Sequence, residues 1–545
     1  MIAVSDLSLR FGKRTLFEHV TIKFKPGYCY GIVGANGAGK STFLKLLSSQ
    51  MKQDEGDIVL DPGVKMGILS QDQYGFEEDT VLDVVLMGRE ELYKISREKD
   101  ALYAKHSMTQ AEGERAALLE AEFMEKDGYT VAAQAGEMLE GLGIETAKHE
   151  WKMKQLAGGW KLRVLLAQIL YKAPDLLMLD EPTNHLDIQA INWLEDYLNA
   201  YEGTIIMVSH DRHFLNRICT HIVDVDRQKI TSYAGNYDFF VAMSKQALDA
   251  KTGENARKEK RISELKEFIA RFSANASKSA QATSRAKLLD KIELEEIVPS
   301  SRQYPRLQFK VKSELGKDVV AVEGLSKSFG SLQVLKGIDL SLQNGERLAV
   351  LGPNGVGKTT FLKCLLSAWD DGSRGLAPDS GSVKWGSSVR LSSMPQDAKE
   401  ELAQDCSMVQ WLKQYAPNEE NQVIRGILGR MLFSGEQQEK NIKVLSGGEC
   451  QRLILSRMML EGGNVLMLDE PTNHMDLESI ESMADSFSGF PGAVIFTSHD
   501  QDLIGRVATR ILALRMDGSW VDFKGGYEEY QAAMDKEARE RRKKG

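Results

Sequence analysis

Two ordered sets of residues that could bind and cleave a nucleoside triphosphate recur along this 545-residue chain. The first set comprises Phe11, the loop Gly34-Ala35-Asn36-Gly37-Ala38-Gly39-Lys40-Ser41, Gln71, Leu156-Ala157-Gly158-Gly159-Trp160, Asp180-Glu181 and His210. The second comprises Phe329, Gly352-Pro353-Asn354-Gly355-Val356-Gly357-Lys358-Thr359, Gln396, Leu445-Ser446-Gly447-Gly448-Glu449, Asp469-Glu470 and His499. In both sets, 23 residues separate the aromatic residue from the first loop glycine, 24 separate the leucine from the aspartate, and 30 separate that aspartate from the histidine. A repeat of this length does not arise by chance, so the chain carries two copies of one chemical unit.

The glycine-rich loops have the composition of a phosphate-binding loop that joins a strand to a helix. Their glycines let the backbone curl until its N–H groups face phosphate oxygens, and the positive end of the following helix faces the same anion. Lys40 and Lys358 supply a cation for the outer phosphates, and the hydroxyl groups of Ser41 and Thr359 suit Mg²⁺. The two loops therefore predict two ATP sites.

A pair of adjacent carboxylates follows an apolar run in each copy. If the runs are strands, Asp180 and Asp469 lie at the carboxyl edge of a sheet, where open α/β sheets bind ligands. There each aspartate would hold magnesium through water. Glu181 and Glu470 would then face the γ-phosphate, and we predict that they polarise the attacking water.

Alternating strands and helices must position these motifs. Buried parallel strands are indicated by apolar runs at 28–33, 176–179, 204–208, 347–351, 465–468 and 493–496. Both units are therefore predicted to be α/β, with each phosphate loop between a strand and a helix.

The composition restricts the class of protein. A hydrophobic content of 42% without an apolar run near ~18 residues predicts a soluble chain, and the N-terminus lacks the pattern of a secretory signal. The five cysteines form no paired spacing, which argues against a disulfide framework, a zinc site or an iron-sulfur cluster and favours the cytoplasm. Because the net charge is -9, any contact with nucleic acid requires a local basic patch.

The first unit contains an insertion. Gln71 and Leu156 are 85 residues apart, whereas Gln396 and Leu445 are 49 apart, so the first unit carries about 36 additional residues, which we place at 89–136. This charged segment has helical character. It is either a solvated surface excursion or a recognition arm.

The segment between the units has the pattern of a helical hairpin with a basic tip. Apolar residues at 262, 265, 269 and 272 follow helical spacing among many Lys, Arg and Glu residues, and a second helical pattern ends before Pro299. The predicted RNA-binding residues of the tip are Arg271, Lys278, Arg285, Lys287 and Lys291. The alternative is a stiff spacer, which would not explain a tip whose charge opposes that of the whole chain.

These motifs, with Leu445-Ser446-Gly447-Gly448-Glu449, resemble the ATP-binding cassette superfamily over nearly the whole chain. The resemblance implies an α/β fold of two P-loop ATP-binding cassette domains in tandem. We assign 1–240 to the first cassette with its inserted arm, 241–317 to the hairpin linker, 318–535 to the second cassette and 536–545 to a basic tail. The resemblance further implies that the protein is a monomer whose two cassettes close head to tail on each other, as an intramolecular dimer.

Two composite sites follow from that resemblance. Site one would combine Phe11, Gly34 to Ser41, Thr42, Gln71, Asp180, Glu181 and His210 with Ser446, Gly447 and Gly448. Site two would combine Phe329, Gly352 to Thr359, Thr360, Gln396, Asp469, Glu470 and His499 with Ala157, Gly158 and Gly159. The implied magnesium ligands are Ser41, Gln71, Asp180, Thr359, Gln396 and Asp469, and the implied catalytic residues are Glu181, Glu470, His210 and His499.

The chain departs from the family pattern at one signature position. Ala157 stands where the signature has a serine, so site two lacks a hydroxyl that could donate to the γ-phosphate. A neutral hydrogen bond contributes about 1 kcal/mol, and more against a charged group. Site two should therefore be weaker than site one, but active.

Within the superfamily, the chain is similar to the ABC-F group of translation factors, and to its bacterial YbiT type, related to the energy-dependent translational throttle. The tip sequence 271–285 and the repeated Glu-Pro-Thr-Asn-His at 181–185 and 470–474 carry this resemblance. It implies a cytoplasmic ATPase that binds the ribosomal E site, contacts rRNA and P-site tRNA through the linker, and regulates translation. The alternative is an ATPase subunit that energises a separate membrane transporter.

Overall fold

The computed structural model describes residues 2–12, 14–69, 75–272, 302–369 and 375–544. Four residues assigned to the basic tip, Lys278, Arg285, Lys287 and Lys291, lie outside the described residues, as does Gln71. Arg271 lies in the helix Tyr237–Phe272, but only its backbone is described.

The first cassette contains two sheets. The larger sheet is formed by β3 (Cys29–Val33), β5 (Met66–Ile68), β6 (Leu176–Asp180), β7 (Thr204–Val208), β8 (His221–Asp226) and β9 (Lys229–Ala234), in the order β5-β6-β7-β3-β8-β9. Only β9 runs antiparallel to its neighbour. A smaller antiparallel sheet has the order β2-β1-β4, from β1 (Ile2–Phe11), β2 (Arg14–Phe24) and β4 (Glu55–Leu60). Because β3 and β7 are buried along their whole length, they form the centre of the core.

Helices cover both faces of the larger sheet. They are α1 (Lys40–Leu47), α2 (Val81–Leu86), α3 (Glu90–Tyr103), α4 (Gln110–Glu125), α5 (Val131–Gly141), α6 (Gly158–Lys172), α7 (Ile188–Asn199) and α8 (Arg212–Ile218). Helix α1 packs with the smaller sheet in one apolar cluster, and the other cluster gathers residues of α2 to α8 on the opposite face. Short 3₁₀ turns occupy Met87–Arg89, Thr146–Lys148 and Met153–Gln155.

The second cassette repeats this architecture. Its larger sheet has the order β14 (Leu391–Met394), β15 (Val465–Asp469), β16 (Ala493–Thr497), β12 (Arg347–Leu351), β17 (Arg510–Leu514), β18 (Trp520–Lys524). The smaller sheet contains β11 (Leu332–Gln343), β10 (Asp318–Phe329) and β13 (Ser380–Trp385). The helices are α10 (Lys358–Ser367), α11 (Ala398–Glu401), α12 (Met408–Tyr415), α13 (Asn421–Arg430), α14 (Gly447–Glu461), α15 (Leu477–Ser488), α16 (Gln501–Val507) and α17 (Tyr527–Lys544), with 3₁₀ turns at Gly435–Glu439 and Ile442–Val444. The predicted fold class of two tandem α/β cassettes is therefore confirmed.

The insertion of the first cassette is a pair of helices, α3 and α4. Arg115 of α4 donates to Glu98 of α3 at 2.8 Å, and Lys99 lies 3.9 Å from the centre of the Phe123 ring. Helix α5 falls partly in the range 89–136 that we assigned to the arm. It instead packs against α2 and α6 in the cassette core, in the chain position that α13 occupies in the second cassette. The inserted helices thus end before α5.

Helix α9 (Tyr237–Phe272) leaves the first cassette and is 36 residues long. At ~1.5 Å per residue this corresponds to about 54 Å. The next described segment, 302–317, lies on the second cassette: Arg306 N–H donates to the carbonyl of Arg430 at 2.8 Å, and Leu307 and Phe309 pack against its core. Part of the range assigned to the linker is therefore attached to the second cassette.

Candidate active site between the two cassettes

The phosphate loops lie where the central strands β3 and β12 end and helices α1 and α10 begin. Gly34 has φ of 153°, and a Cβ atom there would lie 2.4 Å from the carbonyl oxygen of Val225, so only glycine fits. The Nζ atom of Lys40 lies 2.9 Å from the carbonyl of Gly34, and Lys358 makes the same contact with Gly352 at 2.9 Å. Each lysine is thus held over its own loop, where phosphate oxygens would bind.

Oxygen ligands for a cation surround each loop serine or threonine. Ser41 Oγ donates to Asp180 Oδ1 at 3.2 Å, and Thr359 Oγ1 donates to Gln396 Oε1 at 3.4 Å. Asp469 accepts a hydrogen bond from Thr497 at 2.7 Å, which fixes its carboxylate. Hydroxyl, amide and carboxylate oxygens are the ligands that Mg²⁺ prefers, and it also retains several waters. The residues therefore fit magnesium, although the described ranges contain no group of three or more acidic, histidine or cysteine side chains arranged to hold a metal ion by themselves.

The glutamates that follow these aspartates are buried beside histidines. His210 Nε2 lies 3.4 Å from Glu181 Oε1, and His499 Nε2 lies 3.2 Å from Glu470 Oε1. Both glutamates have a positive φ, 51° and 49°, which turns their side chains away from the strand direction. Backbone hydrogen bonds from Glu181 to Val208, at 2.9 Å, and from Glu470 to the Thr497 hydroxyl, at 2.8 Å, hold these turns.

Burial changes the charge state of these groups. Burial raises the pKa of Glu181 to about 8 and that of Glu470 to about 7, against the opposing effect of the neighbouring lysines. Burial also lowers the pKa of His210 to about 3 and that of His499 well below its usual value. The contacts between glutamate and histidine are therefore not ion pairs, because both imidazoles are neutral at pH 7.

Several polar atoms of these glutamates and histidines are buried without a hydrogen-bond partner among the described residues. They are Glu181 Oε1, both carboxyl oxygens of Glu470, and the Nδ1 atoms of His210 and His499. Buried polar atoms are normally satisfied, so unpaired atoms that converge on one place indicate a binding site for water or a polar ligand. These atoms lie beside the phosphate loops, where the terminal phosphate and its attacking water would bind.

The two cassettes enclose one cleft of about 1800 Å³. Both phosphate loops and both signature motifs contribute to its walls. Asn354 of the second loop donates through its backbone N–H to Asp187 at 3.2 Å and through its side chain to the carbonyl of His185 at 3.0 Å. His185 in turn packs against signature Gly159 of its own cassette. The second phosphate loop therefore faces the first signature, in the head-to-tail order expected for site two.

Most of the residues assigned to ATP border this cleft. Those that do are Asn36, Gly37, Gly39, Lys40, Ser41, Thr42, Ala157, Gly159, Glu181, His210, Phe329, Asn354, Gly355, Gly357, Lys358, Thr359, Thr360, Gln396, Ser446, Gly447, Gly448, Glu470 and His499. The assigned residues that do not border the cleft are Phe11, Gly34, Ala35, Ala38, Gly158, Asp180, Gly352, Pro353, Val356 and Asp469. Phe11 and Phe329 are equally exposed, at 50% and 52%, but only Phe329 borders the cleft.

Four further residues border the cleft but were not assigned to either ATP site from the sequence: Trp160, Arg163, His185 and His474. Trp160 and Arg163 lie on the helix after the first signature, with the guanidinium of Arg163 4.5 Å from the Trp160 ring centre. His185 and His474 face each other across the cassettes, 6.5 Å between ring centres. The signal for the histidines was present, because Glu-Pro-Thr-Asn-His occurs once in each copy.

Two P-loop domains that face each other across one cleft, each with a buried glutamate beside its phosphate loop, define a tandem ATP-binding cassette protein. The ABC transporter family model matches residues 17–184 and 335–473, and a related ABC transporter model matches 223–309. The chain belongs to this family and is a tandem ATPase of the ABC-F type, which confirms the resemblance read from its motifs.

Curated relatives match the chain over nearly its full length. It is 48% identical over 537 residues to the uncharacterized ABC transporter ATP-binding protein YkpA of Bacillus subtilis (strain 168), covering 98% of each chain. It is 46% identical to the probable ATP-binding protein YbiT of Escherichia coli O157:H7, covering 97% of this chain and 99% of that protein.

Solved structures share the fold at low identity. The RNase-L inhibitor superposes with a TM-score of 0.62 at 18% identity, covering 96% of this chain and 91% of that one. An archaeal ribosome recycling factor, aABCE1, crystallised with the ribosomal stalk protein aP1, gives 0.58 at 17% identity, covering 93% and 87%. Both comparisons support two tandem cassettes in one chain.

The two signature helices begin differently, which predicts unequal sites. The Ser446 side chain caps α14 by accepting from Glu449 N–H at 3.3 Å, whereas Ala157 provides no side-chain cap for α6. We expect Ala157→Ser to tighten ATP about three- to tenfold at site two, because the hydroxyl adds one hydrogen bond to a charged phosphate. The matched change Ser446→Ala should weaken site one by a similar factor.

Fluorescent-nucleotide titrations of variants that retain a single phosphate-loop lysine measure each site separately. Lys40→Ala leaves site two, and Lys358→Ala leaves site one. If Ala157→Ser tightens ATP binding only in the variant that retains Lys40, the first signature belongs to site one and the pairing assumed here is wrong.

Proposed function

We propose that this ATPase binds the ribosome at the E site, contacts rRNA and the P-site tRNA through its interdomain linker, and regulates translation. ATP-driven closure and opening of the two cassettes is the switch. The observation that carries the proposal is the combination of a shared ATP cleft with the 36-residue helix α9, which leaves the first cassette for the linker. A change in the cassette angle would move that helix.

The catalytic roles follow from the site geometry. Glu181 and Glu470 orient and polarise the attacking water, and the neutral imidazoles of His210 and His499 contact the γ-phosphate. Lys40 and Lys358 bind the outer phosphates, while Phe11 and Phe329 stack on adenine. Ser446 to Gly448 complete site one, and Ala157 to Gly159 complete site two. Magnesium, held by Ser41, Gln71 and Asp180 and by Thr359, Gln396 and Asp469, would neutralise phosphate charge.

Fold comparison supports a ribosomal partner in preference to a transporter. The archaeal relative of this fold is described as a ribosome recycling factor in complex with a stalk protein, and its two cassettes share one chain as they do here. Within the described ranges no helix has the length and apolarity to cross a bilayer. A cytoplasmic protein with RNA as its partner fits these observations.

Co-sedimentation with ribosomes tests the proposal. The chain should pellet with ribosomes in the presence of ATP and not ADP, and this binding should weaken steeply as salt rises, because each phosphate contact releases counterions. Recovery in a membrane fraction, with no ribosome binding at low salt, would instead favour the transporter subunit.

Charge reversal locates the contact. Lys278, Arg285 and Lys287 replaced by glutamate should reduce ribosome affinity by roughly tenfold or more and flatten the salt dependence, because phosphate contacts are lost. Replacing the exposed cassette residues Lys23, Lys52 and Lys524 with glutamate makes the same change in net charge away from the tip. ATPase activity without ribosomes should stay near parental in both. Equal loss in both variants, or none in the first, would assign the linker a spacer role.

A further inference from the structure

Arg302 contacts both cassettes and the interdomain helix at once. Its Nη2 atom lies 2.5 Å from Asp224 Oδ1 on β8, and its Nε atom lies 2.9 Å from Glu478 Oε1 on α15. Its guanidinium carbon is 5.3 Å from the centre of the Phe240 ring on α9. One side chain therefore joins β8 of the first cassette, α15 of the second cassette and the base of α9, which Phe240 anchors in the core of the first cassette.

This cluster is largely removed from water. The side chains of Arg302, Asp224 and Glu478 are 13%, 11% and 5% exposed. Loss of one partner from a buried group of charges leaves the others uncompensated, which is strongly unfavourable. Arg302 is thus needed to keep two acidic groups from different cassettes close together.

The internal repeat does not duplicate this contact. Glu478 is the second residue after Asp476, and the equivalent residue after Asp187 is Gln189. Asp224 pairs in register with Val33 beside the first phosphate loop, and Ala513 takes that place beside Leu351 in the second cassette. The ATP machinery occurs twice, but neither Asp224 nor Glu478 has an acidic counterpart in the other cassette.

Glu478 lies next to site one. It is in the first turn of α15, three residues after the segment 472–475 that borders the cleft. The repeat gives its orientation: Asp187, the counterpart of Asp476, accepts the N–H of Asn354 in the phosphate loop of the other cassette, so the equivalent segment that carries Glu478 faces the first phosphate loop. Burial lowers the pKa of Lys40, and the carboxyl groups of Glu181 and Glu478 oppose that shift, which agrees with this placement. An uncompensated Glu478 would repel the triphosphate there.

We propose that Arg302 is a positioning residue that couples ATP site one, and not site two, to the interdomain helix α9. When the cassettes close on ATP at site one, Arg302 neutralises Glu478 and holds it beside Asp224 under the base of α9. When they open, Asp224 and Glu478 separate, and Arg302 no longer holds both cassettes against α9. This inference rests on the ATPase assignment alone and does not require a ribosome.

Nucleotide binding to the full-length chain tests the site selectivity. Arg302→Gln is placed in the Lys358→Ala chain, which reports site one, and in the Lys40→Ala chain, which reports site two. We expect fluorescent ATP analogue to bind on the order of tenfold more weakly at site one, from the unbalanced charge, and within about twofold of its parent at site two. Arg306→Gln, an exposed arginine of the same segment, is the matched control and should change neither.

Rescue distinguishes positioning from general support of the fold. Adding Glu478→Gln to Arg302→Gln removes the unbalanced carboxylate, so site-one affinity should return to within about threefold of its parent. Loss of affinity at both sites, or no recovery in the double variant, would overturn the proposal, since a residue that only supports the fold shows no such site selectivity.

Hydrogen exchange along α9 tests the coupling. In the parent, ATP should slow exchange at the base of α9, around Phe240. In Arg302→Gln at saturating ATP that response should be lost, while ATP still protects the loop around Lys358. Persistence of the parental α9 response in Arg302→Gln would show that Arg302 does not connect site one to the helix.

Discussion

Replacement of both Glu181 and Glu470 by glutamine should stop steady-state ATP hydrolysis and leave ATP binding in place. The amide keeps the shape of the side chain but cannot accept a proton from the attacking water. A positioned general base contributes roughly 10²- to 10⁴-fold to rate, so phosphate release should fall by at least about 100-fold. Equilibrium titration with a fluorescent ATP analogue should give affinities within about threefold of the parent, because the lysines and phosphate loops are unchanged.

The single variants and one surface variant complete this experiment. Glu181→Gln alone should leave hydrolysis at site two, and Glu470→Gln alone should leave hydrolysis at site one. Glu145→Gln removes a carboxylate that is 56% exposed and paired with Lys148, so its turnover should match the parent. In the ribosome-binding proposal the double variant also accumulates on ribosomes and inhibits protein synthesis. Parental turnover in the double variant would refute the assignment of both glutamates.

The sequence was sufficient to predict the elements that local pattern determines. The ranges 204–208 and 347–351 have the bounds of β7 and β12, because a short apolar run of this length between polar residues is typical of a strand buried on both faces. The phosphate loops were equally predictable, since Gly34 and Gly352 have backbone angles that favour glycine. Fold class therefore followed from local information repeated twice.

Boundaries inside helical regions were less predictable. Helix α5 and the inserted α3 and α4 have similar helical patterns, and only packing against α2 and α6 separates the cassette helix from the arm. The segment 302–317 likewise has no strong pattern of its own. Its contacts with Arg430 and Gly462, which attach it to the second cassette, join residues more than 120 positions apart.

Contacts across the cleft could not be predicted from one sequence. Asp187 and Asn354 are 167 positions apart, and their hydrogen bond depends on how the two cassettes face each other. The same applies to His185 and His474, whose repeat was visible but whose mutual contact was not. The contacts of Arg302 with Asp224 and Glu478 could not be predicted from the motifs either, because both acidic residues lie outside them.

Replacement of Asp187 by alanine should have the second largest effect. Asp187 caps α7 through Ala190 N–H at 3.0 Å, faces buried Arg163 at 3.5 Å, and accepts the N–H of Asn354 at 3.2 Å. Removal of one partner from a buried ion pair costs about 3 kcal/mol or more, so the midpoint of chemical unfolding of the first cassette should fall clearly. Hydrolysis at site two, measured in the Glu181→Gln chain, should fall by roughly tenfold as a lost buried hydrogen bond of about 1.5 kcal/mol disturbs the second phosphate loop.

Asp476 of the second cassette is the matched control, because it has the same place in the repeat with fewer contacts. Its side chain caps α15 through Ser479 N–H at 3.0 Å, and among the described residues it accepts no hydrogen bond from the first cassette. Asp476→Ala should therefore lose about 1 kcal/mol, the contribution of a helix cap. ATP hydrolysis at site one is measured by combining Asp476→Ala with Glu470→Gln. It should fall by a smaller factor than hydrolysis at site two falls in Asp187→Ala. If both alanine variants lose equal stability and equal activity, the hydrogen bond from Asn354 to Asp187 does not position the second phosphate loop, and closure at site two depends on ATP itself.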